Sequence, residues 1–298
     1  MLTEAIHQHA VGLDARPDAD ILDRLFRGQI AALQTVQAAI PDIVKGSALM
    51  TEAIRGSGRL VYAAAGSSAL MGNADGLELA GTFGIDPARI RLCMAGGLPQ
   101  NSAMPGDTED ETPQAEADAA DLGKGDVVIA ITASGRTPYA LRMAELAQRA
   151  EAHTICIANN PDAPVFAHAD VAIHLPTPPE LIAGSTRMGA GTAQKAALNM
   201  MSTLMGIRLG HVHDGMMVNL RADNAKLRAR ARGMVAQLTG ASDSVADRAL
   251  GQTGGAVKPA VLLVRGAASV AQATALLTDT GGDLRGALAQ LREKRDTN

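Results

Sequence analysis

With 298 residues, 47% hydrophobic content and a formal net charge of −4, the chain has apolar material for a sizeable core, enough for one α/β domain plus a smaller appendage. Only 2% of the residues are aromatic and the lysines and arginines are dispersed, so no basic stripe with interleaved aromatics offers itself to nucleic acid. No apolar run reaches about 18 residues and the N-terminal MLTEAIHQHA lacks a signal-peptide pattern, so a cytoplasmic protein without membrane partners is expected.

Residues 1 to about 20 are mixed, with a loop expected at Asp14–Asp20. From Ala19 to about Gly56 the pattern is helical: Ile21, Leu22, Leu25, Phe26, Ile30, Leu33, Val36 and Ile40 recur at three- and four-residue spacing as one apolar face. Pro41 fits the first turn of a second helix that reaches Ile54. Five short apolar runs follow, at Leu60–Ala65, Ile90–Ala95, Val127–Thr132, Thr154–Ala158 and Val171–Leu175, alternating with helix-like segments. Continuous apolar runs suit strands covered on both faces, which predicts an α/β fold with a doubly wound, five-stranded parallel sheet. Cys93 and Cys156 sit inside two of these runs and read as small core residues.

The connection GGLPQNSAMPGDTEDET, Gly96 to Thr112, is far longer than the usual βα loop of about two to six residues and is therefore a candidate functional loop. A long helix is expected over Gly191–Leu209, packing through Ala193, Ala197, Leu198, Met201, Leu204 and Met205. After His211–Asn224 the chain turns basic and helical. Short helices are then expected at Asp243–Gly251, Lys258–Arg265, Val270–Thr278 and Leu284–Leu291. The expected division is an N-terminal helical segment (1–56), a sheet domain (57–235) and a small C-terminal helical subdomain (236–298).

In parallel sheets, ligands gather outside the carboxyl ends of the strands. Gly66-Ser67-Ser68 ends the first run and Ser134-Gly135-Arg136-Thr137-Pro138 the third. A strand feeding a Gly/Ser turn and a helix start presents the free N–H groups and hydroxyls that an anion needs. A third such turn, Gly184-Ser185-Thr186-Arg187, opens the long helix. No GxxxxGK[ST] spacing occurs, so nucleotide binding is not supported.

Acid–base chemistry needs carboxylates in contrasting environments. Glu78, between Leu77 and Leu79, is a candidate for a raised pKa, or else a helix-surface glutamate. Glu109, in the acidic run Asp107–Glu111, lies just before Thr112-Pro113, a good helix start. That position either leaves it solvated or keeps it ionised as a base requires. The pattern His211-x-His213-Asp214 lacks a further spaced ligand, so no metal is expected.

The motifs GSSALMG, ADGLELAGTFG, ASGRTPY, NNPDAP, PPELIAGSTRMGAGTAQK and LNMMSTLMG resemble those of the N-acetylmuramic acid 6-phosphate etherase family, built on the sugar isomerase (SIS) fold. The resemblance covers roughly residues 20 to 230, and the last helical part is similar to that family's C-terminal subdomain. It implies an elimination that releases D-lactate, followed by hydration to N-acetylglucosamine 6-phosphate, as part of cell-wall amino-sugar recycling. No metal or organic cofactor is implied, because the substrate's open-chain carbonyl stabilises the carbanion.

Carried across by that resemblance, the leaving-group acid falls on Glu78 and the second catalytic glutamate on Glu109. Phosphate and sugar contacts fall on Ser67, Ser68, Ser134, Thr137, Ser185 and Thr186. Two stretches depart from the family's pattern: GSSALMG stands for GTSGRLG, and Leu79-Ala80-Gly81 for Cys-Pro-Pro. A related amino-sugar phosphate thus stays open as the substrate. So do an aldose–ketose isomerase and a non-catalytic sugar-phosphate-binding regulator on the same fold.

One straight helix over Ala69–Glu78 would put Glu78 about 13–15 Å along it from the serine turn, at 1.5 Å per residue. Either the Gly72–Gly76 region is irregular, or Glu78 serves a site whose serine turn belongs to another subunit; a homodimer with shared active sites is the favoured expectation, as the family also implies.

Overall fold

The computed structural model describes residues 1–104, 108–220, 222 and 224–296. Pro105, Gly106 and Asp107 of the long connection lie outside the described residues, as do Arg221 and Asp223 of the segment before the basic helix. The chain divides into two compact units. One is Met1–Gly76 with Pro87–Thr203; the other is Leu77–Asp86 with Leu204–Asn298.

In the first unit, α1 (Asp18–Gln34) runs through a short 3-10 turn into α2 (Ile40–Arg55), whose Pro41 occupies the first turn as expected. Then come β1 (Leu60–Ala64), α3 (Gly66–Phe83), β2 (Ile90–Met94), α4 (Thr112–Ala119), β3 (Val127–Thr132), α5 (Pro138–Arg149), β4 (His153–Ala158) and β5 (Val171–His174). α6 (Gly189–Arg208) follows, and the last turns of α3 and of α6 belong to the second unit. All five predicted strands form, in one parallel sheet of order β2-β1-β3-β4-β5.

Both faces of the sheet are covered, which is why the strands read as unbroken apolar runs. On one face Val61, Ala63, Cys93 and Val128 pack against Ala115 and Ala119 of α4 and Tyr139, Met143 and Ala147 of α5. The opposite face meets α2 and α3 through glycines. A Cβ at Gly46 would lie 3.4 Å from Ile155 Cδ1, one at Gly72 2.9 Å from Ile131 Cδ1, and one at Gly76 2.6 Å from Leu92 Cδ2. Gly72 and Gly76 therefore serve close helix–sheet packing. α3 is unbroken from Gly66 to Phe83, which removes the irregular-helix alternative.

Buried Asp75 fixes this arrangement by accepting from Tyr62 Oη (2.7 Å), Asn199 Nδ2 (2.7 Å) and Ser202 Oγ (2.8 Å). One expectation is corrected. Of the apolar face read from Ile21 to Ile40, only Val36 is fully buried, while Leu22, Phe26, Ile30, Leu33 and Ile40 are exposed. Periodicity reports that a helix has an apolar stripe, not that this chain covers it.

The second unit adds α7 (Ala225–Thr239), α8 (Asp243–Gln252), α9 (Val257–Val264), α10 (Val270–Asp279) and α11 (Leu284–Asp296). Its core is small and aliphatic: Met234, Val235, Leu250, Val261, Leu262, Leu276, Leu284 and Leu291. No helix among the described residues is long and apolar enough to cross a membrane.

Candidate functional site

The strand order reverses at β1: the chain steps from β1 outward to β2 and then returns to β3 on the other side. Such a switch point opens a crevice beyond the carboxyl ends of the two central strands. The sequence places a hydroxyl-bearing turn at each.

Beyond β1, α3 starts abruptly at Gly66, whose φ of +54° lies in the left-handed region that glycine tolerates. Ser67 is half-buried and Ser68 buried in the first turn, where the helical N–H groups have no intrahelical acceptor. A Cβ at Gly66 would lie 2.6 Å from Glu109 Oε1, so this carboxylate sits against the first residue of the helix. The backbone carbonyl of Glu109 accepts from Tyr139 N (3.2 Å), which ties the long loop to the start of α5.

Burial, and secondarily the neighbouring charge of Asp110, pushes the Glu109 carboxyl above its ordinary value of 4.5. α4 begins only at Thr112, and desolvation beside Gly66 sets the direction of the shift.

Beyond β3, the second turn is organised by Thr132, which sequence reasoning did not single out. Its Oγ1 lies 2.9 Å from Thr137 Oγ1 and accepts from Gly135 N (3.2 Å). Ser134 Oγ accepts from Arg136 N (3.1 Å). Thr137 stands at the N-cap of α5 with Pro138 first in the helix, as predicted, yet its hydroxyl turns to Thr132 rather than capping. A strand-terminal threonine next to a hydroxyl-rich turn was the available signal for Thr132.

The third turn carries Ser185 and Thr186, both half-buried, ahead of α6. A Cβ at Gly191 would approach Met71 Cγ at 3.8 Å, so this helix start adjoins the first turns of α3. Its amides are held by Glu180, also unforeseen: the buried carboxylate accepts from Gly189 N and Ala190 N, each at 2.9 Å. Glu180 caps α6 from nine residues upstream, outside any local capping pattern. Arg136, Arg187 and Lys195 are exposed.

The first unit therefore assembles Ser67, Ser68, Glu109, Ser134, Thr137, Ser185 and Thr186 on turns around one sheet edge. Glu78 is not among them. It is exposed, with Leu77 exposed and Leu79 buried on either side, so its apolar setting is one-sided. It lies on the same unbroken helix as Ser67, eleven residues on, which is about 16 Å of helix.

Among the described residues no group of three or more His, Cys, Asp or Glu side chains is placed to hold a metal ion. At the His211–Asp214 stretch, Asp214 pairs with Arg285 at 2.5 Å.

A family model described as SIS domain matches residues 109–204. The chain is 40% identical over 291 residues to the N-acetylmuramic acid 6-phosphate etherase of Deinococcus radiodurans, spanning 97% of this chain and 95% of that protein. It is 40% identical over 292 residues to the protein of the same name in Streptomyces avermitilis, covering 97% and 94% of the two chains. Against that of Symbiobacterium thermophilum the identity is 41% over 263 residues, 88% of each chain. Two residues in five shared along nearly the whole length establish that the chain belongs to the N-acetylmuramic acid 6-phosphate etherase family.

Proposed function

We propose that this protein is a carbon–oxygen lyase that converts N-acetylmuramic acid 6-phosphate and water to N-acetylglucosamine 6-phosphate and D-lactate. The observation that carries the proposal is the carboxylate of Glu109 lodged against Gly66, beside the hydroxyl-lined turns. The phosphate is read as bound by the first turn of α3 with Ser67 and Ser68, and by the Ser134–Thr137 turn. Ser185 and Thr186 are read as sugar contacts. Helix N-termini favour such anions through unpaired N–H groups and the macrodipole.

In the ring-opened substrate the C1 aldehyde acidifies the proton on C2. Glu109 takes that proton, and the electron pair left on C2 forms the C2=C3 double bond as the C3–O ether bond breaks. Glu78 gives its proton to the departing oxygen, which leaves as the hydroxyl of lactate. Water then adds its oxygen to C3 while giving a proton to the Glu78 carboxylate, and Glu109 returns its proton to C2. Both glutamates end as they began.

Because Ser67 opens α3 and Glu78 lies eleven residues further along the same unbroken helix, the site is read as shared between two copies of the chain, each supplying what the other lacks. The exposed apolar residues Leu22, Phe26, Ile30 and Leu33, on one face of α1, support a second copy as partner. A cytoplasmic setting in amino-sugar recycling fits the substrate.

Purified protein is expected to release lactate from N-acetylmuramic acid 6-phosphate. In D2O, Glu109→Gln is expected to abolish exchange of the C2 proton. Glu78→Gln is expected to retain exchange and lose lactate release, each on the 10²–10⁴ scale of general acid–base catalysis. Equal, mild effects of both would undo the assignment. Mixing Glu78→Gln subunits with Ser67-defective ones tests sharing: no recovered activity in heterodimers would count against it.

A further inference from the structure

The boundary between the two compact units falls inside α3, between Gly76 and Leu77, so Glu78 is grouped with the C-terminal helices rather than with the sheet. The contacts that accomplish this are specific. Phe83, buried at the end of α3, packs its ring against Gly206, where a Cβ would lie 2.6 Å from Phe83 Cδ1. The Phe83 carbonyl, which has no acceptor role left within the helix, accepts from Asn219 Nδ2 at 2.9 Å, and it is near enough to the His211 ring to favour that ring's protonated form.

Gly84 then closes the helix at φ +64°, with its N–H on Ala80 O at 3.0 Å. The fit there leaves no room, since a Cβ on Gly84 would lie 2.3 Å from the carbonyl oxygen of Asn219. Behind His211, Gly210 is locked in turn. The buried ammonium of Lys258 donates to Gly210 O (3.3 Å) and Gly282 O (3.0 Å), joining the end of α6 to α9 and the α10–α11 turn. An unbroken series of contacts thus runs from the helix end five residues beyond Glu78 into the heart of the helical module.

We infer that the C-terminal module serves the reaction by fixing Glu78, with Asn219 and Lys258 as positioning residues that hold the end of α3 through the Phe83 carbonyl and the Gly210 turn. Neither residue touches the substrate. The inference rests on Glu78 being the leaving-group acid. It assigns a task to the last third of the chain that proton removal at C2 does not need, since Glu109 belongs to the other unit.

That separation supplies the test, on the full-length protein with N-acetylmuramic acid 6-phosphate in D2O, following C2 proton exchange and lactate release together. Asn219→Ala is expected to lower lactate release by about 10²-fold, the cost of a misplacement near 1 Å, while exchange stays within about twofold of the parent. Lys258→Met, which keeps the aliphatic length and removes the donors, is expected to give the same split and serves if Asn219→Ala does not fold. A purely structural role would lower both readouts together, and that outcome, or unchanged lactate release in both variants, overturns the inference. Glu78→Gln run alongside separates the two levels. Wild-type lactate release from that variant would remove Glu78 as the acid and the positioning role with it. A split in Glu78→Gln without one in the Asn219 and Lys258 variants would overturn the positioning role alone.

Discussion

A carboxylate that takes a proton from carbon and later returns it works best with a pKa near the operating pH. Burial beside Gly66, with the like charge of Asp110, moves Glu109 in that direction. In its proposed role as the base it must be ionised, so the acid limb of kcat/KM for N-acetylmuramic acid 6-phosphate is expected above pH 4.5, the ordinary glutamate value. Asp110→Asn removes the repelling charge and is expected to shift that limb downward in a pH–rate profile; an unmoved limb would mean that another group titrates. Glu109 was readable as a candidate from the long acidic loop and from the family resemblance. Its environment was not, because the glycine against which it is desolvated lies forty-three residues earlier, beyond β1, and meets the loop that follows β2 only in the folded chain.

Elements were the most legible scale, since strand and helix periods are local properties of the chain. The predicted helix Gly191–Leu209 corresponds to α6, Gly189–Arg208, and the four short C-terminal helices each form within a few residues of expectation. How elements begin was less legible. α6 is capped by Glu180 from beyond the usual local window, and its carboxylate is the acceptor for two successive buried amides. Glu180→Ala is expected to destabilise the protein by about 1–3 kcal/mol, the cost of leaving buried donors unpaired, measured by urea denaturation. Glu180→Gln, with one carbonyl oxygen still able to accept, is expected to recover part of that loss. An Ala variant as stable as the parent would show that water replaces the cap at no cost.

For the molecule as a whole, the helical module carries its own pH dependence. Burial, with the adjacent Lys258 charge and against the pull of Phe83 O, pushes His211 down to about 4, and its Nδ1 is buried without a partner among the described residues. Between about pH 6.5 and 4 the unfolded chain therefore binds one proton that the folded module does not. Stability is then expected to fall as pH drops through that window. Denaturation midpoints at pH 7 and pH 5 measure it, and His211→Gln is expected to flatten the difference. A slope unchanged by that substitution would place the titration elsewhere.

The amino-acid sequence by itself determined the strands, the helices, the parallel sheet and the residue types at its loop-bearing edge, because apolar periodicity and turn chemistry act over a few neighbouring residues. Its long, specific motifs likewise determined the family. Only the tertiary structure decided that α3 runs unbroken past Gly72 and Gly76, that Glu109 is desolvated and that the apolar stripe of α1 is exposed. It also decided that Glu78 is grouped with the C-terminal helices. Each of these depends on atoms far apart along the chain, and burial, close approach and shared hydrogen bonds exist only once the fold has brought such atoms together.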